Sequence, residues 1–315
     1  MNPQKVIVNI CTYKRPQMLQ ACLDSLLAQV IPSAWTVEIL IIDNDRNESA
    51  KPLAQQYQQK STLAVSYFSE KNQGIPFARN RGCDESLAKE ADWLLFIDDD
   101  ETVDTGWLAA YFEATQKYQA EAYTGPVNYL YTKPRAAWLP NKEKSFEDGC
   151  LRGRAATNNV LISSKVIHQN GFALRFDTNM AFTGGSDTDL FMRLVAKGGK
   201  IIYVRKATVS EIVVENRESL KWLILREYRT TNNLVYIRTK LNGYQKTFLN
   251  VTLLSMKHFF HGVLGLIIVP FFILKGSTFF KKRLFQSIRH FVKLTANIAG
   301  LINIHPQPYK KTDGS

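Results

Sequence analysis

A chain of 315 residues that is 45% hydrophobic is long enough for a large α/β domain with an appendage and too apolar for disorder. Its four cysteines, Cys11, Cys22, Cys83 and Cys150, show no paired metal-ligand spacing, which argues against a zinc ribbon and reads as reduced thiols in a cytosolic compartment. The net charge of +12 sits at one end: residues 1–215 hold 24 Lys+Arg against 25 Asp+Glu, and residues 216–315 hold 16 against 3.

Val6–Cys11 (VIVNIC) reads as a buried first strand, followed by the loop Thr12–Pro16. Pro16 suits the first turn of a helix, along which Met18, Leu19, Cys22, Leu23, Leu26 and Leu27 share one face. Val37–Ile42 is a second strand ending in Asp43-Asn44-Asp45. A helix over Ser49–Lys60 and a third strand over Leu63–Phe68 follow. Asn72-Gln73-Gly74-Ile75-Pro76 then opens a helix with Arg79 and Arg81 near its start, an anion-friendly arrangement.

Trp93–Ile97 is apolar throughout and reads as a buried strand that runs into Asp98, Asp99, Asp100 and Glu101. Four adjacent carboxylates repel, and no core buries them unpaired, so the strand must end there. A divalent cation held by oxygen ligands, Mg²⁺ or Mn²⁺, is expected among them; the plainer reading is an acidic turn in water. Strand–helix alternation implies a parallel sheet with helices on both faces, whose ligands bind beyond the carboxyl ends of the strands. By that rule Cys11–Tyr13, Asp43–Asp45 and Asp98–Asp100 open into one crevice.

Beyond this point the pattern predicts a helix over Gly106–Tyr118, one strand over Tyr123–Tyr131 and a long polar loop over Lys133–Gly153 containing Trp138. A strand over Ala155–Ile162 carries Asn158 and Asn159. Gly184-Gly185 lead into a helix, with Ser186 and Asp187 at its N-cap. Two short strands precede a basic helix over Leu220–Lys240. Phe259–Leu274 is apolar, slightly short of a membrane span, interrupted by Pro270, and flanked by Lys275, Lys281, Lys282 and Arg283. An apolar face with a cationic flank fits a helix lying on an anionic membrane, with His258 and His261 at its interface; a buried core helix is the alternative. No secretory signal precedes the first strand, which places the body in the cytoplasm.

These segments resemble the family 2 glycosyltransferases, which share the GT-A nucleotide-sugar-binding fold. VIVNICTYKRP is similar to their first strand and loop, EILIIDND to their second strand, and NQGIPFARNRG to their Asn-x-Gly…Ala-Arg-Asn segment. FIDDDE stands in the place of their Asp-x-Asp metal motif, and GGSDTDLFMRL resembles their Glu-Asp-x-Asp-Leu…Arg-Leu segment, with Ser186 where the family often has Glu. The five motifs keep the family's order over residues 5–205.

The resemblance implies a GT-A domain over residues 1–215 and a basic, apolar helical region over 216–315. Asp98 and Asp100 would hold Mn²⁺ or Mg²⁺. Cys11, Tyr13, Asp43, Asn72, Arg79 and Asp98 would contact the nucleotide. Asp187 would be the general base of an inverting single displacement. The implied partners are a nucleotide-sugar donor, a UDP-sugar first, and a glycan or lipid-linked acceptor of cell-surface polysaccharide synthesis. Residues 245–315 would hold the protein peripherally on the inner face of the membrane, with no nucleic acid bound. Plainer roles stand beside these: Asp43 as a local cap, Arg79 paired with Asp84 or Glu85, Asp187 as an N-cap, Trp138 as packing. Two other classes, a nucleotidyltransferase acting on sugar phosphates and a nucleic-acid binder using the basic tail, lack a glycine-rich phosphate loop and a use for the acidic cluster respectively.

Overall fold

The computed structural model describes residues 3–139 and 146–311. Residues 140–145 of the Lys133–Gly153 loop and 312–315 of the basic end lie outside the described residues. The chain divides into two compact units: Met1–Leu130, Glu143–Ile212 and Tyr309–Ser315 form the first, and Tyr131–Lys142 with Val213–Pro308 the second.

The first unit starts as the alternation predicts. β1 (Gln4–Thr12), β2 (Trp35–Asp43), β3 (Ala64–Ser69) and β4 (Trp93–Asp98) are parallel, with α1 (Pro16–Leu27), α2 (Lys51–Lys60) and α3 (Ile75–Ala88) as crossovers. Pro16 opens α1 and Pro76 sits in the first turn of α3, where a missing N–H costs nothing. Continuous apolar strands give both sheet faces a core. Leu19, Leu23 and Tyr57 pack on one side, and Ala78, Leu190 and Phe191 on the other. Each such fully buried large apolar side chain contributes about 1.5–3 kcal/mol. The register sets Cys11 opposite both Ile42 and Asp98, and Thr12 opposite Asp43, so the strand ends lie side by side.

The rest of the unit is less regular than the pattern suggests. After β5 (Glu101–Val103) and α4 (Trp107–Lys117), the strand expected over Tyr123–Tyr131 is two, β6 (Ala122–Thr124) and β7 (Val127–Tyr131), in different sheets. The break falls at Gly125, where an added Cβ would meet the Ala207 carbonyl at 1.8 Å, and Pro126 follows. β8 (Asn159–Ser163) enters antiparallel to β4 and β6; α5 (Ser186–Ala196), β9 (Ile201–Tyr203) and β10 (Val209–Val213) complete the unit. The main sheet runs β3-β2-β1-β4-β8-β6-β9, and β5-β10-β7 form a second sheet. Asn159 ties them together. Its Oδ1 accepts from Trp107 Nε1 at 3.0 Å and Tyr111 OH at 2.7 Å, and its Nδ2 donates to the carbonyls of Pro126 and Ala207.

In the second unit α6 (Leu220–Asn242), α7 (Tyr244–Ile268) and α8 (Ser277–Leu301) pack on one another. Pro270 does interrupt the apolar run: α7 ends at Ile268 and Val269–Lys275 is 3₁₀. The helices are inverted relative to a water-soluble bundle. α7 buries Thr247, Val251, Ser255 and Gly262, while Leu253, Met256, Phe260, Leu264 and Ile267 are exposed. A Cβ on Gly262 would strike the Phe291 ring at 2.9 Å, and one on Gly265 the Ser287 hydroxyl at 2.3 Å, so α7 and α8 approach closely through small residues. His258 is partly buried, its ring facing His290, nitrogen to nitrogen at 3.0 Å, whereas His261 is exposed. Trp138 takes the packing alternative, edge-on to Phe285.

Candidate active site

The tip of β4 carries the chemistry, and each carboxylate there has its own environment. Asp98 keeps 41% of its side chain exposed and faces Arg79, whose guanidinium lies 3.6 Å away and is itself 11% exposed. Asp99 points the other way: Thr12 Oγ1 donates to it at 2.7 Å and Arg15 stands at 3.5 Å. Arg15 also reaches Asp100 at 3.4 Å. Glu101, read as the fourth member of an acidic run, turns inward in β5 and is 1% exposed. There it accepts from Asn158 Nδ2 at 2.8 Å and from the Asp98 N–H at 3.3 Å, which fixes the strand end.

This crowding leaves an electrostatic mark. Loss of hydration, opposed by Arg79 and reinforced by Asp100, Asp99 and Asp187, pushes Asp98 up to about 7. The open fraction of its side chain moderates that loss of hydration, so the neighbouring charges matter more than burial alone suggests. Loss of hydration, together with Asp100 and against Thr12 and Arg15, likewise lifts Asp99 to about 6.

Asp187 does not cap α5. Gly185, left-handed at φ 85°, occupies the N-cap without a side-chain bond, and the helix begins at Ser186. Asp187 Oδ1 accepts from the Thr188 N–H at 2.6 Å, in the first turn where negative charge is favoured. Ser186 is fully buried with no hydrogen-bond partner for its hydroxyl. Asp189 is fully buried and accepts from Arg193 Nε at 2.9 Å and Nη2 at 2.6 Å.

The remaining predicted residues divide. Arg79 ignores both rival partners, since Asp84 pairs with Arg175 and Glu85 with Arg81. Cys11 lies beside Asp98 in register, and burial pushes its thiol up to about 12. The Tyr13 hydroxyl accepts from Gln73 at 3.3 Å. Asp43 closes the end of β2. It is fully buried, and its oxygens accept from the N–H groups of Asp45 and Ala50 and from Tyr67 OH, so it shapes the turn after β2. Asn44, unassigned from the sequence, organises the rim instead: it donates to the carbonyls of Glu70 and Asn72 and accepts from Gly74 N–H at 2.8 Å. Asn72 is exposed and held through its backbone. The Asx-turn signal in Asp43-Asn44-Asp45 marks such a residue type.

Among the described residues no three His, Cys, Asp or Glu side chains converge into a metal cage. One or two carboxylates completed by substrate phosphates suffice for Mg²⁺-type sites, and the partly exposed Asp98 and Asp100 are of that ligand chemistry.

The family model described as glycosyl transferase family 2 matches residues 7–179. The succinoglycan biosynthesis protein ExoM of Rhizobium meliloti (strain 1021) is 32% identical over 227 residues, covering 71% of this chain and 72% of ExoM. Glucosyl-dolichyl phosphate glucuronosyltransferase of Haloferax volcanii is 23% identical over 242 residues, 71% of this chain and 74% of that enzyme. The crystal structure of GalNAc-T7 with UDP, GalNAc and Mn²⁺ superposes with a TM-score of 0.55 at 15% identity, covering 76% of this chain and 55% of that one, a likeness of GT-A fold. The parallel half-sheet, the acidic tip of β4 and these matches together establish that the chain belongs to glycosyl transferase family 2 and is a glycosyltransferase.

Proposed function

We propose that the protein transfers a sugar from a nucleotide-sugar, a UDP-sugar first, to a lipid-linked or growing-glycan acceptor in cell-surface polysaccharide synthesis. The observation that carries this reading is the Arg79–Asp98 pair at the tip of β4, beside the ends of β1 and β2. Arg79 meets the negative charge that develops on the departing nucleoside diphosphate. Asp98 and Asp100 would hold Mn²⁺ or Mg²⁺, which supplies further neutralisation of that diphosphate when bound. Asp187 accepts the proton of the acceptor hydroxyl as its oxygen attacks the anomeric carbon. The new C–O bond forms while the bond to the diphosphate breaks, so the anomeric centre inverts without a covalent enzyme intermediate. The names of ExoM and of the Haloferax enzyme support a polysaccharide or lipid-phosphate acceptor.

The second unit supports a peripheral seat on the inner face of the cell membrane. Tyr244–Lys275 is apolar enough to cross a bilayer, with mean hydropathy 1.8. Its 3₁₀ break at Pro270 and the following cations favour lying in the interface.

The test is a panel of nucleotide-sugars with Mn²⁺, purified protein and membrane lipid extract, reading released nucleoside diphosphate and labelled product. One donor consumed with label entering the lipid phase supports the reading. Donors left intact in the presence of extract and metal would count against it.

A further inference from the structure

Between α7 and α8 runs a groove of about 410 Å³, within the ~300–1,000 Å³ of small-molecule sites. Met256, Phe259 and Phe260 of α7 and Leu294, Ile298 and Leu301 of α8 form its walls. Ser255 and Thr252 complete the lining without making it polar at Ser255, whose hydroxyl donates to the Val251 carbonyl at 2.7 Å and accepts from Asn297 at 3.1 Å. Four of the wall residues are about half exposed: Met256 52%, Phe259 47%, Phe260 62% and Ile298 50%.

In water such a groove would have collapsed or been covered. Here it is continuous with the outward apolar face of a bundle whose interior holds Asn232, Asn297, Ser255 and Ser287. Polar groups inside and large apolar groups outside suit a bundle set into the surface of a lipid bilayer. The residues 216–315 that contain it carry 16 Lys+Arg against 3 Asp+Glu, so an anionic head on an apolar chain matches both features. We infer that this groove binds one hydrocarbon chain of the lipid-phosphate acceptor. The inference rests on the lipid-linked acceptor proposed above and adds the place where its chain is held.

The probe is a polyisoprenyl diphosphate with a diazirine on its chain, added to full-length protein in mixed micelles and cross-linked by light. Mass spectrometry should place adducts on residues 252–260 and 294–301. Met256→Trp and Ile298→Trp, both at half-exposed positions, fill the groove without crowding the core and should each cut labelling about tenfold, the equivalent of two lost buried methylenes. Ile267→Trp, equally apolar and 63% exposed but outside the groove, should label as wild type. Adducts spread evenly over Phe271, Leu274 and the groove, or unchanged labelling in Ile298→Trp, would overturn the assignment. So would equal labelling by a diazirine phosphatidylcholine, which means any membrane chain enters. All these readings are made without sugar transfer, so they fail or stand separately from the transferase reaction itself.

Discussion

Arg79 and Asp98 meet at 3.6 Å, guanidinium to carboxylate, where α3 faces the end of β4. The arginine is almost buried and the aspartate half open, so the pair presents one fixed cation beside a carboxylate that solvent and ligands can reach. Arg79 also lies 5.7 Å from the Phe176 ring, which limits its swing.

Replacing Arg79 with Ala takes away the attraction that holds Asp98 down, so the carboxyl should titrate above about 7 in metal-free protein. Carboxyl NMR follows this directly. The same variant should raise the donor KM by about tenfold or more, the scale of one charge-assisted hydrogen bond. An unmoved Asp98 titration would dissolve the pair's importance.

Asp187→Asn keeps shape and loses basicity. Donor binding, read by calorimetry, should stay at the wild-type value while kcat falls by about 10²–10⁴. Transfer at the wild-type rate would remove Asp187 from the reaction.

Arg193→Ala should destabilise the first unit by about 3–5 kcal/mol, because the fully buried Asp189 loses its ion pair with Arg193. Thermal unfolding reads this as a fall of roughly 10 °C for a domain of this size. The double change Arg193→Met with Asp189→Leu should recover much of it. No recovery would show that the helix start, not the buried charge, is what the pair secures.

Glu227 links α6 to α8 through Arg289 at 2.7 Å and Lys293 at 3.1 Å. Burial alone would lift its carboxyl, and the two cations outweigh that and hold it below the ordinary value. A depressed folded pKa means stability present above the unfolded value of about 4.3 and lost as pH falls through the folded one. The Tm advantage of wild type over Glu227→Gln in detergent should therefore be constant above about pH 5 and shrink below 4. A gap independent of pH would point to shape rather than charge.

The first half of the chain was readable because long apolar strands and proline-opened helices speak for themselves. VIVNIC, VEILII and WLLFI each became a strand of the parallel half-sheet. Glu101 was misplaced because adjacency in sequence hides the reversal that β5 makes. The Gly125 break hid inside an aromatic run, since the close approach to Ala207 is a contact 82 positions distant in sequence. The bonding of Asp43 and Asn44 was hidden for a similar reason. Both are buried, and their partners, Tyr67 for Asp43 and the Glu70–Gly74 loop for Asn44, are ones that periodicity does not reveal.

The inverted packing of α7 sets where this chain tolerates change. Positions 247, 251 and 255 are buried, and 262 and 265 meet α8 so closely that a Cβ would clash. Their bulky neighbours at 253, 264 and 267 are exposed and outside the groove, so Leu, Ile, Phe and Met should interchange there freely. A saturation library across this helix should thus be strictest at its least hydrophobic residues, the reverse of what an amphipathic helix on a water-soluble enzyme would give.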